Sequence, residues 1–430
     1  MLDTLPDTKA ADAHADVVAT VNAMARAARA IAPRLAIAST ADKARALHAA
    51  AAAVRAQAEA IIAANAIDLA NGQANGLSPA MLDRLKLDGA RLEGIAGAID
   101  AVAGLPDPVG QIIDRSERPN GLILERLRIP LGVIGIIYES RPNVTADAAV
   151  LALMSGNAAI LRGGSEAVNS NRAIHAALVE GIVSAGFPAE AIQLVPTQDR
   201  AAVGAMLAAH GLIDIIVPRG GKSLVARVQN EARVPVLAHL DGICHTYVDG
   251  AADPAMAQKL VLNAKMRRTG ICGATETVLI DRAYADPAAI VAPLIDAGCE
   301  VRGDATVAAL DSRIVAASAE DWDTEYLDAI VSVAMVDGLD GAIAHIAQHS
   351  SAHTDAIVTE DAAKAERFLR EVDSAIAMWN ASTQFADGGE FGLGAEIGIS
   401  TGRMHARGPV ALEGLTTYKW IVRGTGQARP

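Results

Sequence analysis

One cysteine lies in a glycine turn, in the stretch MRRTGICGATETVLI. Structural cysteines usually lie within continuous apolar segments, where the thiol is inert. Cys272 instead lies between Gly270 and Gly273, and glycine leaves the backbone open to an approaching molecule. Arg267 and Arg268 precede it, and nearby positive charge favours the thiolate. These features predict that Cys272 is a nucleophile, although a lone cysteine is more often structural.

A second group of polar residues follows the predicted strand LGVIGIIYES. The chain continues there as Arg141-Pro142-Asn143 and opens a helix. Asn143 could be a helix N-cap, which is the commoner use of asparagine at such a place, or its amide could be a fixed donor to an oxyanion. Arg141 could pair with a carboxylate or phosphate of a substrate, or with the nearby Asp147. The sequence leaves these alternatives open.

Two glycine turns each end a predicted strand and open a helix. They read Arg162-Gly163-Gly164 and Arg219-Gly220-Gly221, and Lys222 and Ser223 follow the second. Such turns expose backbone N–H groups and the positive end of a helix to a phosphate, and the arginines strengthen that interpretation. A Gly-Gly pair at a strand end is nevertheless more often only a turn. The G-x-G-x-x-G fingerprint of ordinary dinucleotide sites is missing after the first strand of the predicted sheet.

A long segment rich in glycine and small polar residues runs from Asn380 to Gly398 between two predicted strands. A loop of this length inside a compact domain is usually functional. His349 and His353 precede it at the spacing of a metal-binding pair, but a solvated helix end explains them better. We therefore predict no metal site.

The composition limits the classes of partner. The formal net charge of −13 would repel nucleic acid and anionic lipid, so small molecules are the expected partners. Three widely spaced cysteines fit neither a disulfide framework nor a zinc site and indicate a reducing cytoplasm. The acidic first thirty residues do not have the pattern of a secretory signal, and the longest apolar stretch is too short to span a membrane.

The elements that must position these residues follow a regular order along the chain. Residues 15–105 are Ala-rich and helical by pattern. From Leu131, five predicted strands alternate with four helices, ending at PVLAHL, and a second α/β region starts near Cys244. Short apolar strands with helical crossovers predict parallel sheets. The half-polar strand GLILERLRI and the C-terminal LTTYKWIVRG are expected to pair with each other or with another subunit.

These segments together resemble the γ-glutamyl phosphate reductases, a branch of the aldehyde dehydrogenase superfamily. The resemblance covers nearly the whole chain, and its most specific part is FADGGEFGLGAEIGISTGRMHARGPVALEGLTTYKW. It implies an α/β fold with two parallel-sheet domains and a small β oligomerisation element. It also implies that Cys272 is the nucleophile, that Asn143 holds the oxyanion, and that Glu325 holds the nicotinamide ribose.

The resemblance also implies a division of the chain into functional regions. We expect a cofactor-binding domain, a catalytic domain, oligomerisation strands and a segment that returns to the cofactor domain. The cofactor-binding domain is expected at 1–119 and 141–242, and the catalytic domain at 243–395. The oligomerisation strands are expected at 120–140 and 413–430, and the return segment at 396–412.

The implied reaction is the reduction of L-glutamate 5-phosphate by NADPH, which gives L-glutamate 5-semialdehyde, phosphate and NADP in proline biosynthesis. The two glycine turns with Lys222 and Ser223 are the expected cofactor contacts, and Arg219 and Lys222 the expected support for NADPH over NADH. A homo-oligomer and functional coupling to glutamate 5-kinase are also expected. Candidates for holding the glutamate α-amino and α-carboxylate groups are Arg141, Arg268, Ser382 and Thr383.

The sequence departs from the family pattern at two turns. Ser165 replaces the lysine that usually follows the first glycine turn, and the usual Arg-Pro-Ser-Thr-Cys-Asn is Arg268-Thr269-Gly270-Ile271-Cys272-Gly273 here. Hydrolytic aldehyde dehydrogenases have a glutamate base a few dozen residues before the cysteine, whereas residues 237–242 contain none. His239 or Asp241 could substitute. A hydrolytic dehydrogenase and a catalytically silent oligomeric relative are therefore the alternatives.

Overall fold

The computed structural model describes residues 8–429, and their side chains from residue 15 onward. The chain forms two compact units. The first comprises the described residues up to Leu237, Leu393–Gly398 and those from Val410 onward, and the second comprises Ala238–Gly392 and Ile399–Pro409. Within residues 8–429, no helix has both the length and the apolar character needed to cross a bilayer.

The elements up to residue 237 belong to the first unit. Its helices are α1 (Thr8–Leu35), α2 (Thr40–Ala56), α3 (Ala58–Ala74), α4 (Pro79–Leu85), α5 (Gly89–Ala103), α6 (Asn143–Met154), α7 (Val168–Ser184), α8 (Arg200–Ala208) and α9 (Lys222–Glu231). Its strands are β1 (Ile112–Glu117), β2 (Ile123–Pro130), β3 (Val133–Tyr138), β4 (Ala158–Gly163), β5 (Ile192–Leu194) and β6 (Ile215–Arg219).

The elements of the second unit follow. Its helices are α10 (Pro254–Met266), α11 (Pro287–Asp296), α12 (Ala305–Ala308), α13 (Gly338–His349) and α14 (Ala362–Glu371). Its strands are β7 (Cys244–Val248), β8 (Thr275–Asp281), β9 (Glu300–Gly303), β10 (Val315–Ala316), β11 (Ile330–Val336), β12 (Thr354–Val358) and β13 (Ile376–Trp379). The chain then forms β14 (Gly398–Ser400), β15 (Gly408–Val410) and β16 (Thr416–Arg423).

A parallel sheet in the order β5-β4-β3-β6 forms the centre of the first unit. All six residues of β3 are buried, as expected for an apolar strand covered on both faces. The sheet has four strands instead of the predicted five, because Val236 in PVLAHL makes only an isolated bridge to Ile216. The chain moves from β3 outward to β5 and then returns to the other side of β3 with β6. Ligands of such sheets bind beyond the carboxyl ends of the strands at this switch point.

An antiparallel sheet in the order β1-β2-β16 also belongs to the first unit. The predicted pairing of GLILERLRI with the C-terminal strand is confirmed, since β2 and β16 pair from Thr416 with Pro130 to Arg423 with Ile123. The range 120–140, expected to form oligomerisation strands, covers β2 of this sheet and also β3 of the parallel sheet, and its role in oligomerisation stays a prediction. The half-polar pattern of β2 ends at Pro130, and the fully buried residues of β3 begin at Val133.

The second unit is built on a seven-stranded parallel sheet in the order β10-β9-β11-β8-β7-β12-β13. Val261 of α10 packs with Val278 of β8 and Val331 of β11 in one buried cluster, and Tyr247 packs with Phe368 of α14 in another. Two parallel-sheet α/β regions and a small β element are therefore present, as predicted. The expected return segment, 396–412, is divided, because residues 399–409 belong to the second unit.

Candidate active site

Cys272 lies in the turn between the end of α10 and the start of β8, and its side chain is half-buried. Gly242 packs directly against this turn. A Cβ atom at Gly242 would lie 2.3 Å from the Cys272 carbonyl oxygen and 2.7 Å from the Cys272 Cα. Only glycine fits at position 242 without displacing the backbone that carries the sulfur.

A buried ion pair joins the two ends of the cysteine turn. Lys265 Nζ at the end of α10 donates to Glu276 Oε2 on β8 at 2.5 Å, and both side chains are fully buried. Burial raises the pKa of Glu276 to about 7. Because each charge would be strongly destabilised alone in the interior, the pair keeps the end of the helix and the start of the strand together.

Gln384 fixes the cysteine turn from the other side. Its Nε2 donates to the carbonyl oxygens of Ala264 at 2.8 Å and Arg268 at 3.3 Å, and its Oε1 accepts from Arg267 Nη1 at 3.4 Å. Gln384 was not among the predicted site residues, although it lies in the glycine-rich segment that was predicted to be functional. Arg267 and Arg268 are exposed.

Ser382 and Thr383 precede Gln384 and were predicted to bind substrate. Both side chains are buried, and Thr383 Oγ1 lies 3.0 Å from Thr275 Oγ1 on β8. Ser382 Oγ accepts from the backbone N–H of Gln384. These hydroxyls therefore stabilise the segment internally, so that any contact of this turn with substrate would be made by its backbone.

Two histidines lie beside Cys272. One nitrogen of His239, one nitrogen of His353 and Cys272 Sγ all lie within 4.8 Å of one another. His239 Nδ1 donates to the Ile399 carbonyl at 2.8 Å, an assignment that places the lone pair on its Nε2. The interpretation of His353 as part of a solvated helix end is wrong, because His353 precedes β12 and is fully buried. His349 does end α13, where its Nδ1 lies 2.8 Å from Asp323 Oδ1.

Glu325 also lies in the second unit, in the segment that leads to β11, and it is half-buried. Its charge is one of the causes that raise the pKa of Glu276, after the larger effect of burial. The carboxylate is thus electrostatically coupled to the buried pair that holds the cysteine turn.

In the first unit, Asn143 is the first residue of α6 and its side chain is exposed. Its Nδ2 donates to Asp147 Oδ2 at 2.8 Å, one turn further along the helix. The N-cap position belongs to Pro142, so the N-cap interpretation of Asn143 is wrong. Burial raises the pKa of Asp147. Arg141 is exposed immediately before α6, beyond the carboxyl end of β3.

A cavity of about 360 Å³ lies at the carboxyl end of the parallel sheet of the first unit. Gly164, Ser223 and Arg162 line it. Arg162 Nη2 donates to the Gln198 carbonyl at 2.8 Å, and its buried Nε has no partner among the described residues. Arg200 and Arg227 also line it and were not predicted from the sequence. Three guanidinium groups around one cavity, with one N–H unsatisfied, can bind a phosphate.

A carboxylate that was not predicted as a site residue lies against the second glycine turn. The Gly221 N–H donates to Glu139 Oε2 at 2.9 Å, at the start of α9. A Cβ atom at Gly220 would lie 2.4 Å from the same oxygen, so a larger residue there would have to displace the Glu139 carboxylate. Glu139 directly follows β3 and thus occupies the position at the helix N-terminus that was predicted for a phosphate.

The remaining predicted cofactor residues differ in their surroundings. Arg219 packs against Gly398, where an added Cβ would lie 2.8 Å from Arg219 Nη1. Lys222 is exposed at the start of α9. At the first turn, a Cβ atom at Gly163 would lie 2.1 Å from Asn171 Nδ2, so this glycine is required for packing against α7. Ser165 begins a short 3₁₀ helix, Ser165–Ala167, that precedes α7.

Comparison with known proteins identifies the family. The model of the aldehyde dehydrogenase family matches residues 3–302. The chain is 73% identical to the γ-glutamyl phosphate reductase of Rhizorhabdus wittichii over 97% of this chain and 98% of that protein. It is 70% identical to that of Novosphingobium aromaticivorans over 100% of both chains.

A solved structure agrees with these relatives. The crystal structure of γ-glutamyl phosphate reductase from Thermotoga maritima is similar with a TM-score of 0.93 and 41% identity, covering 95% of this chain and 100% of that one. A match to 95% of the chain includes residues of both units. The chain therefore belongs to the γ-glutamyl phosphate reductases of the aldehyde dehydrogenase family.

Proposed function

We propose that this enzyme reduces L-glutamate 5-phosphate with NADPH to L-glutamate 5-semialdehyde and phosphate, the second step of proline biosynthesis from glutamate. The observation that carries the proposal is identity of 70–73% over nearly the full length of relatives with that name. The half-buried Cys272 in its clamped turn supplies the nucleophile that this chemistry needs.

The Cys272 thiolate attacks the acyl carbon, and phosphate leaves as a stable anion, so the departing group needs no strong acid. A thioester to Cys272 remains. A nicotinamide, when bound, would supply the hydride for this thioester. Cys272 would hold the acyl group as the thioester and then as the thiohemiacetal, and its sulfur would leave as the free thiol when the aldehyde forms. We assign the Cys272 backbone N–H and the Asn143 amide to the oxyanion in both tetrahedral stages, where loss of one donor typically lowers the rate roughly a hundredfold or more.

His239 is the candidate proton acceptor for the Cys272 thiol. Its Nδ1–H is held by the Ile399 carbonyl, so in the neutral ring Nε2 is the nitrogen that can accept a proton, and one of its ring nitrogens lies within 4.8 Å of the sulfur. The sequence around it contains no glutamate that would activate water as in the hydrolytic enzymes. An enzyme that must keep its thioester for the hydride is expected to lack such a base.

The family implies a nicotinamide cofactor, and the arginines of the first-unit cavity favour NADPH. Arg162, Arg200 and Arg227 line one cavity, and guanidinium groups bind phosphate bidentately. We assign the 2′-phosphate of NADPH to this cavity instead of to Arg219 and Lys222. Glu325 remains the proposed contact to the nicotinamide ribose.

The functional assay runs the reaction in both directions. We expect reduction of freshly generated glutamyl phosphate with NADPH, and phosphate-dependent reduction of NADP with glutamate semialdehyde. Cys272→Ser should abolish both reactions, whereas Cys299→Ser, which changes a buried cysteine of the second-unit core, should retain them. Formation of the free acid without phosphate would identify a hydrolytic dehydrogenase. A protein with no turnover and no rapid alkylation of Cys272 would be a silent relative.

We also propose that the enzyme is a homo-oligomer that forms through the three-stranded sheet. Strand β16 is an edge of that sheet, and it exposes Tyr418 at 47% and Trp420 at 54%. Large apolar side chains on a sheet edge are typical of a surface covered by a second copy. Functional coupling to glutamate 5-kinase would shorten the lifetime of the reactive acyl phosphate in water.

The three cysteines form no disulfide among the described residues, which favours the cytoplasm as the location of the enzyme.

A further inference from the structure

The cluster of His239, His353 and Cys272 has the donor set of a metal centre. Thiolate sulfur and imidazole nitrogen are the ligands that Zn²⁺ prefers. In a tetrahedral zinc site these donors would lie roughly 3.4 to 3.6 Å apart, given zinc bonds of about 2.0 to 2.3 Å. The three donor atoms lie within 4.8 Å of one another, so side-chain movements of about 1 Å would bring them to the donor spacing of a zinc site.

His353 provides an independent indication of a ligand. Its side chain is fully buried, and the part of the chain that the structure describes offers no hydrogen-bond partner to its buried Nε2. The other ring nitrogen, Nδ1, lies 2.9 Å from Thr354 Oγ1 and 3.6 Å from Cys244 Sγ. Buried polar atoms in folded proteins almost always have a partner, and a bond to a cation would satisfy this one.

His239 has the orientation that metal-binding histidines usually have. Such histidines donate their second ring N–H to a carbonyl or carboxylate, which fixes the tautomer and aims the lone pair at the metal. His239 Nδ1 donates to the Ile399 carbonyl in this way. Its ring meets the ring of His353 edge-on, with centroids 5.0 Å apart. Cys272 is only half-buried, so water can fill a fourth coordination position.

We propose that His239, His353 and Cys272 form an inhibitory Zn²⁺ site with one open position. Binding replaces the S–H bond of Cys272 with an S–Zn bond, the proton leaves to solvent, and nothing is oxidised or reduced. The lone pair of the sulfur is then engaged by the metal, so Cys272 cannot attack an acyl carbon. The metal is a reversible blocker of the nucleophile and takes no part in the proposed reductase reaction. Binding itself does not depend on that reaction.

Binding can be measured without turnover by titrating chelator-treated enzyme with Co²⁺ as a spectroscopic substitute. We expect one equivalent to bind with a thiolate-to-cobalt charge-transfer band and strong d–d bands of tetrahedral geometry, and Zn²⁺ to displace it. Cys272→Ser should lose the charge-transfer band. Cys244→Ser and Cys299→Ser should retain it, since neither sulfur belongs to the group of donor atoms that lie within 4.8 Å of one another.

The histidines are tested by Zn²⁺ competition against a chromophoric chelator. His239→Asn and His353→Asn should each weaken Zn²⁺ binding by more than the roughly 10–100-fold that loss of an outer-shell partner causes. His349→Asn, at the end of α13, is the matched control and should bind as the parent does. Circular dichroism identifies any variant that fails to fold, and His239→Asn decides the matter if the buried His353 cannot be replaced.

A further measurement needs only the parent enzyme. Zn²⁺ should protect Cys272 from iodoacetamide, as read by peptide mass spectrometry, and a chelator should restore both labelling and turnover. The proposal is overturned if no charge-transfer band forms, if the band persists in Cys272→Ser, or if Zn²⁺ leaves the alkylation rate of Cys272 unchanged. Binding without loss of turnover would overturn the inhibitory role. Failure of the reductase assay would leave the binding result standing.

Discussion

Gly242→Ala tests whether the position of the Cys272 backbone limits turnover. The added Cβ would lie 2.3 Å from the Cys272 carbonyl oxygen, 2.7 Å from its Cα and 2.8 Å from its Cβ, whereas ordinary contact begins near 3.4 Å. The two segments must therefore separate by about 1 Å, and a misplacement of that size typically lowers a rate about a hundredfold. The Lys265–Glu276 pair resists movement of the cysteine turn, so overpacking should also lower the free energy of unfolding by about 1–3 kcal/mol.

The assay measures turnover of glutamyl phosphate, the alkylation rate of Cys272 and the thermal unfolding midpoint of the same preparations. Gly270→Ala is the matched control, because it changes a glycine in the cysteine turn whose added Cβ would lie 3.7 Å from its nearest neighbour, the Leu327 carbonyl oxygen. The control should keep the turnover and the stability of the parent. Parent-like turnover in a destabilised Gly242→Ala enzyme would refute the reasoning, as would an equal loss in both variants.

Three further substitutions test the other parts of the account. Lys265→Met should lower the free energy of unfolding by about 3–5 kcal/mol because it leaves the buried Glu276 charge unpaired, and the double variant with Glu276→Leu should recover most of it in denaturant titrations. Trp420→Glu should shift the mass measured by light scattering toward the monomer, whereas Ile67→Glu, equally exposed at 54% on α3, should not. Arg227→Gln should raise the KM for NADPH roughly 10–100-fold, as loss of a charged hydrogen bond predicts, and leave the KM for NADH unchanged. An equal rise for both cofactors would place the 2′-phosphate elsewhere.

The folding class could be predicted from the sequence because it depends on local patterns. Short apolar runs alternating with helical periodicity predicted parallel sheets, and all six residues of β3 are buried accordingly. The C-terminal strand and GLILERLRI were expected to pair, and β2 and β16 do so. The prediction of a fifth strand in the first sheet was wrong. PVLAHL has the composition of a strand, but Val236 makes only an isolated bridge. Whether such a run completes a ladder depends on neighbours that are distant in the chain.

Of the candidate site, only the central cysteine could be predicted from the sequence. Cys272 was predicted because it lies in a glycine turn, and its side chain is half-buried in the structure. Thr383 was predicted to contact substrate because it lies in a long polar segment, yet its hydroxyl is buried beside Thr275. Glu139 accepts from the Gly221 N–H, and nothing in the residues around it, LGVIGIIYES, predicts that hydrogen bond. A side chain's direction is set by packing and not by its position in a segment.

The sequence by itself determined the family and most of the order of helices and strands, and it predicted the nucleophile in its glycine turn, since each of these depends on contiguous residues. Only the tertiary structure decided which distant groups surround that nucleophile. His239, Cys272 and His353 are brought together by the folding of one unit, and Lys265 meets Glu276 across the cysteine turn in an interior where an unpaired charge is strongly disfavoured. Periodicity records which face of an element is buried, but not which faces meet.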